Sequence, residues 1–203
     1  MTITRIELLR HGLPEGDDCF RGHTDFLITE EGIKQMHDAV SGSNGFDLVM
    51  TSPLKRCSDF AYQHAAKYST PVIEVPGFME LNFGDWDGRQ RNEIWENNSK
   101  ALSLFWSEPW NTTPPNGESL EEFDSRIQKA WSSTIDNHKG KSILLVTHGG
   151  VIKQIIRMIL DMPKSEVYLQ RINIPYAAKL TITIYHDDNG KIWPELHWPK
   201  SLF

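Results

Sequence analysis

The sequence predicts an α/β fold in three layers, with helices on both faces of a mostly parallel sheet and an antiparallel edge. Short apolar runs such as ILLVT (143–147) alternate along the chain with amphipathic helical stretches. Two of these runs stop on a histidine followed by glycine, at RHG (10–12) and THGG (147–150). The last long segment, KLTITIYHDDNGKIWPEL (179–196), reads as two alternating strands around Asn189-Gly190, a strong hairpin signal.

The elements follow in order. Residues 3–9 read as a buried strand, and 29–41 as a helix opened by Thr29-Glu30-Glu31 with Ile33, Met36 and Val40 on its apolar face. FDLVMTS (46–52) suits a second buried strand. At Thr51-Ser52-Pro53, Ser52 is placed to cap a helix and Pro53 to take its first position, and that helix runs to about Tyr68. TPVIEV (70–75) is a third strand. Residues 93–110 are helical but irregular and rich in tryptophan, and TTPPNGES (112–119) is a loop. Ser119-Leu120-Glu121-Glu122 is a capping box that opens a helix with Leu120, Phe123, Ile127, Trp131 and Ile135 on one face. SILLVT (142–147) is a strand, and a helix over 150–160 follows it.

Composition narrows the function. A chain of 203 residues with 39% hydrophobic content supports a single domain over 1–203. With 21 basic against 27 acidic residues the net charge is −6, which disfavours nucleic acid as a partner. A local cationic pocket for a small anion is compatible with that surface. Two cysteines, Cys19 and Cys57, make neither a disulfide framework nor a metal pair, and eight histidines occur without an HExxH pattern. The expectation is a cytoplasmic protein that uses no metal or other cofactor and no membrane, with its oligomeric state open.

In α/β sheets ligands bind outside the carboxyl ends of the strands. If the strands near residues 9, 51 and 147 are neighbours, Arg10, His11, Arg56 and His148 converge at one such end. Two guanidinium groups suit a phosphate dianion, because each donates paired hydrogen bonds and keeps its charge. Gly12, Gly149 and Gly150 let backbone approach an anion, and the helix that follows aims positive partial charge at it. A neutral imidazole can then attack phosphorus.

Five motifs in order, LLRHG (8–12), TSPLKRC (51–57), MELNFGDWDG (79–88), PNGES (115–119) and VTHGG (146–150), resemble the histidine phosphatase superfamily, also called phosphoglycerate mutase-like. The resemblance spans residue 4 to about 160. It implies a phosphoglycerate mutase-like fold and a small-molecule phosphomonoester substrate. It implies His11 as the nucleophile that becomes phosphohistidine, with Arg10, Arg56 and His148 around the phosphate, beside the substrate-binding Gly149 that the close backbone approach suggests. Glu80 matches the acid that protonates the leaving oxygen; Asp85, Asp87 and Glu118 are alternative carboxylates in the same loops. Arg21, in FRGHTD, is a candidate further cation for substrate. After RHG the family commonly continues with Glu-Thr or Glu-Ser, whereas this chain has Leu13-Pro14-Glu15-Gly16-Asp17.

The resemblance points to a hydrolase, because mutases carry ERHYG where this chain has ELNFG (80–84), and their insertion is longer and more basic. Here 89–117 is short, tryptophan-bearing and expected to act as a lid. ELNFGDWDG (80–88) followed by FWSEPWNTTPPNGESLEEF (105–123) is similar to the α-ribazole phosphatases of cobalamin biosynthesis, which implies α-ribazole 5′-phosphate or the equivalent cobamide phosphate as substrate. Trp95, Trp106 and Trp110 serve either as packing or as a stacking wall. The alternatives are a broad-specificity phosphatase, a mutase-type isomerase and a non-catalytic phosphate-recognising module.

Overall fold

The computed structural model describes residues 2–16, 18–43 and 45–198. Asp17, which ends the departure after RHG, lies outside the described residues, as do Met1 and 199–203 of the expected single domain. Six strands form one sheet: β1 (Thr2–Arg10), β2 (Leu48–Thr51), β3 (Val72–Glu74), β4 (Ser142–Thr147), β5 (Lys179–His186) and β6 (Ile192–His197). Their order is β3-β2-β4-β1-β5-β6. The first four strands in that order run parallel, while β5 pairs antiparallel with both β1 and β6. The mixed sheet therefore has the expected antiparallel edge.

Strand period decides which helices cover which face. In β4, Ile143 and Leu145 point to one side and Leu144 and Val146 to the other. The first pair joins Ile6, Leu8 and Met50 against Phe123 and Ile127 of α4 (Leu120–Asn137) and Ile152 and Ile155 of α5 (Gly149–Ile159). The second pair joins Leu9 and Val49 against Met36 and Val40 of α1 (Glu30–Val40) and Phe60, Ala61 and Ala65 of α2 (Lys55–Tyr68). Each fully buried aliphatic side chain contributes about 1.5–3 kcal/mol, and truncating one such as Leu145 to alanine costs about 2–5 kcal/mol.

Local chemistry sets most element ends. Thr29 accepts a hydrogen bond from the Gly32 amide at 2.9 Å and so caps α1. The capping box is complete at α4, with Glu122 N–H donating to Ser119 Oγ at 3.2 Å and Ser119 N–H to Glu122 Oε2 at 2.9 Å. The helix over Arg91–Ser107, α3, has non-helical geometry at Asn98 (φ −138°, ψ 31°), which accounts for its irregular pattern. A short helix at Val167–Arg171, α6, has no counterpart in the sequence reading. It is one turn long, below the length at which periodicity is legible.

One expectation fails at the start of α2. The helix begins at Lys55 with Leu54 at its N-cap and no side-chain cap, so Ser52 and Pro53 precede it. The Ser52 hydroxyl is engaged elsewhere, 2.7 Å from His148 Nε2.

Candidate active site

Because β2, β4 and β1 are adjacent and parallel, the residues that follow them come side by side. Arg10 pairs with Thr147 and Thr51 with Val146 in register. The His11 amide then donates to the Thr147 carbonyl at 2.9 Å, and the Ser52 amide to the Val146 carbonyl at 3.0 Å. Ser52, His148 and His11 thus form a row at the carboxyl end of the sheet, and the His11 and His148 rings meet edge to face at 5.3 Å.

Hydrogen bonding assigns the protons of both rings. His11 Nδ1 lies 2.8 Å from the Gly12 carbonyl, which can only accept, so Nδ1 carries the hydrogen. A neutral His11 therefore keeps its lone pair on Nε2. Arg56 Nε–H donates to His148 Nδ1 at 3.3 Å, so neutral His148 carries its proton on Nε2 and donates it to Ser52. Both imidazoles are held well below the ordinary histidine pKa, first by burial and then by the Arg56 charge, with Arg10 adding to it. A histidine kept neutral beside fixed cations is chemically suited to attack an electrophile that those cations bind.

A cavity of about 350 Å³ opens over this row. Arg10, His11, Arg21, Glu80 and Gly149 line it, while Arg56 and His148 are fully buried one layer behind. Arg56 is tied down by the Gly22 carbonyl at 2.6 Å and the Thr24 carbonyl at 3.0 Å as well as by His148. Arg10 donates to the Ile174 carbonyl at 2.5 Å, and its guanidinium lies 4.2 Å from the centre of the Tyr176 ring. Burial holds the Arg10 pKa below the usual arginine value. Arg21 reaches the same end of the cavity, donating to the Gly16 carbonyl at 2.8 Å and to Tyr176 Oη at 3.4 Å.

Glu80 faces these cations. Its Oε1 accepts from the Leu81 amide at 3.1 Å and its Oε2 from the Gly150 amide at 3.0 Å. A Cβ on Gly150 would lie 2.2 Å from Glu80 Oε1, so only glycine admits the carboxylate there. The other carboxylates of these loops are committed elsewhere. Asp87 accepts from the amides of Gly22, His23 and Thr24, and Glu118 pairs with Arg126 at 2.6 Å. Asp85 meets the exposed Asn116 amide at 3.0 Å, and none of the three lines the cavity. Arg126 also donates to the carbonyls of Gly77, Met79 and Glu80, which fixes the loop that carries Glu80.

Other candidates divide. Gly149, at the first turn of α5, lies against the Arg10 guanidinium, its Cβ position 3.4 Å from Arg10 Nε, an ordinary contact distance. Gly12 serves packing instead: a Cβ there would meet the Gly32 carbonyl oxygen at 2.1 Å, under α1. Of the tryptophans, Trp106 lines the cavity, Trp110 packs under the Arg157 and Lys164 cations, and Trp95 faces outward at 56% exposure. Phe20, Phe83, Phe105, Leu120 and Phe123 are also in the apolar wall, with Leu169 and Ile174 from a later segment. Sequence reasoning missed Ser52, Tyr176 and Lys153. Ser52 follows a parallel strand as His11 and His148 do, so the strand-end rule could have found it; Tyr176 sits in an irregular segment with no such signal.

Fold and site together define a class: an α/β protein that gathers cations and a neutral histidine over the carboxyl ends of three parallel strands, as phosphoryl chemistry requires. The model of the histidine phosphatase superfamily (branch 1) matches residues 6–193, and the chain belongs to that superfamily. Adenosylcobalamin/alpha-ribazole phosphatase of Escherichia coli (strain K12) is 29% identical over 174 residues, 83% of this chain and 85% of that one. A metal-independent phosphoserine phosphatase of Arabidopsis thaliana is 33% identical over 161 residues, 75% and 67% of the two chains. The crystal structure of the alpha-ribazole phosphatase from Shigella flexneri superposes with a TM-score of 0.81 at 25% identity, covering 97% of this chain and 96% of the other. Among the described residues no helix is long and apolar enough to cross a membrane.

Proposed function

We propose that the protein is a metal-independent phosphomonoesterase that works through phosphohistidine and removes the 5′-phosphate of α-ribazole 5′-phosphate or the equivalent cobamide phosphate. The observation that carries this reading is one cavity lined both by Arg10, His11, Arg21 and Glu80 and by a connected run of rings, Phe20 on Phe83, Phe83 on Phe105 and Phe105 on Trp106. The names of the E. coli and Shigella relatives support the substrate. The phosphate sits against Arg10, Arg21 and Gly149, with the positive field of Arg56 and the α5 N-terminus behind it. The His11 Nε2 lone pair forms the N–P bond as the ester P–O bond breaks, and Glu80 gives its proton to the departing alkoxide. Glu80, now ionised, takes a proton from water as that water's oxygen attacks the phosphohistidine. The N–P bond breaks, and neutral His11 and inorganic phosphate result. His148, its tautomer set by Arg56, buttresses the His11 ring.

The flat base of α-ribazole would lie on the apolar wall. Stacking on an aromatic ring is worth about 1–3 kcal/mol per base in nucleic-acid systems, or roughly a five- to 150-fold preference if the contact persists in the transition state. Competitive turnover of α-ribazole 5′-phosphate against ribose 5-phosphate is expected to favour the former by that margin. A ratio near one leaves the phosphatase and removes the cobalamin substrate. Rapid-quench labelling is expected to yield an acid-labile phosphoprotein that His11→Ala lacks; a fully active His11→Ala enzyme overturns the mechanism.

A further inference from the structure

Lys153 is a cation in the same cavity that this mechanism does not use. It lies on α5 four residues after Gly149, hence on the same helix face and about 6 Å further along the axis. Its ammonium donates to the Leu169 carbonyl at 2.5 Å, and no carboxylate is within ion-pair distance among the described residues. Two of its three N–H donors are therefore unspent. Burial lowers its pKa from the usual lysine value, with Arg10 and Arg91 pressing in the same direction and Glu80 opposing them. Asn173, an exposed residue, lines the same cavity.

The other cations there are already occupied. Arg10 and Arg21 stand at the phosphate end, and Arg91 pairs with Asp18 at 3.2 Å. A half-buried ammonium with donors to spare needs an acceptor, because polar groups taken from water without a partner are costly. Among the described residues Glu80 is the one carboxylate lining the cavity, and it already accepts from the Leu81 and Gly150 amides, so a further acceptor for Lys153 arrives with the ligand.

We propose that Lys153, with the Asn173 amide, forms a second polar subsite that takes an acceptor oxygen on the alcohol half of the substrate and thereby sets specificity. The inference rests on the phosphomonoesterase reading and deepens it. The chemistry required is an oxygen acceptor about one helical turn from phosphorus, supplied either by a sugar hydroxyl or by a carboxylate. A furanose diol meets the requirement while leaving the apolar wall to a base.

The test compares substrate pairs that differ only in that acceptor, in wild type, Lys153→Met and Lys153→Arg. Adenosine 5′-monophosphate against its 2′,3′-dideoxy analogue reads the hydroxyl; phosphoserine against phosphoethanolamine reads the carboxylate; phenyl phosphate, with neither, is the control. Lys153→Met is expected to lose about 10- to 100-fold in kcat/KM on the acceptor-bearing member of one pair, as removal of a charged hydrogen bond costs. The loss should fall mainly in KM and change the other member and phenyl phosphate by less than about threefold. Lys153→Arg should recover part of it.

Equal loss on all substrates, or no loss on either pair, overturns the subsite. A loss confined to the carboxylate pair keeps Lys153 in its role and removes the α-ribazole reading. If wild type turns over no phenyl phosphate, the phosphatase reading fails, and calorimetric affinities for the same pairs decide Lys153 by the same ratios.

Discussion

Gly150→Ala separates the chemistry of Glu80 from the stability of the fold. The added Cβ would lie 2.2 Å from Glu80 Oε1, 3.0 Å from its Cδ and 3.3 Å from its Oε2. Ordinary non-bonded contact requires about 3.5 Å, so the carboxylate has to retreat by roughly 1 Å and give up its bond from the Gly150 amide. Misplacing a reacting group by about 1 Å costs on the order of 100-fold in rate. The backbone does not resist the change, because residue 150 lies inside α5 and its φ is not positive. Residue 150 is the second position of α5, in its first turn, where glycine carries little of the helix-interior penalty, so the melting temperature should hold unless the contact with Glu80 lowers it. The assay is kcat/KM on ribose 5-phosphate and on p-nitrophenyl phosphate, beside a thermal melt. The alkyl ester, whose alkoxide needs a proton, should lose about 100-fold, and the nitrophenyl ester less than about threefold. Equal losses on both esters, or an unchanged alkyl rate, would refute Glu80 as the leaving-group acid.

Two further outcomes are expected. Burial and the Arg56 charge depress the pKa values of His11 and His148, so the unfolded chain, with histidine near about 6.5, binds protons first as pH falls. The stability due to these two groups is full above about pH 6.5 and declines below it, by 1.36 kcal/mol per unit of pKa gap for each ring, roughly. Urea midpoints at pH 7.5 and 5.5, with the ring protons followed by NMR, should show the decline and a neutral His11 at the lower pH; an imidazolium there contradicts the geometry. Activity should survive excess EDTA, since Arg10, Arg21 and Arg56 supply the positive charge; loss restored by a divalent ion would remove metal independence.

Where the sequence was legible, the signal was local. The apolar run of β4, the capping box at Ser119 and the Asn189-Gly190 turn each depend on residues within a few positions of one another. The convergence of Arg10, His11, Arg56 and His148 needed one long-range assumption, the adjacency of β2, β4 and β1, and the strand order supplies it. Ser52 misled because a serine before a proline reads as a helix cap, while its partner, His148, lies 96 residues away. The apolar wall was illegible for the same reason: Phe20, Phe83, Phe105 and Phe123 come from four separate segments. Periodicity also could not tell Trp106, which reaches the cavity, from Trp95, which faces water.

The loop that carries Arg21 is bound from two sides. Asp87 holds the amides of residues 22–24, and Arg56 holds the carbonyls of Gly22 and Thr24. The apolar wall is assembled from single side chains on the kinked α3, the start of α4 and the segment around Leu169 and Tyr176, and its ties are single bonds, from Lys153 to the Leu169 carbonyl, Arg10 to the Ile174 carbonyl and Gln170 to the Trp106 carbonyl. A lineage inheriting this architecture can therefore exchange wall residues one at a time without dismantling the clamped cationic end of the site. The same partition explains how an unaltered reactive centre could pass through many descendants whose metabolic assignments differ.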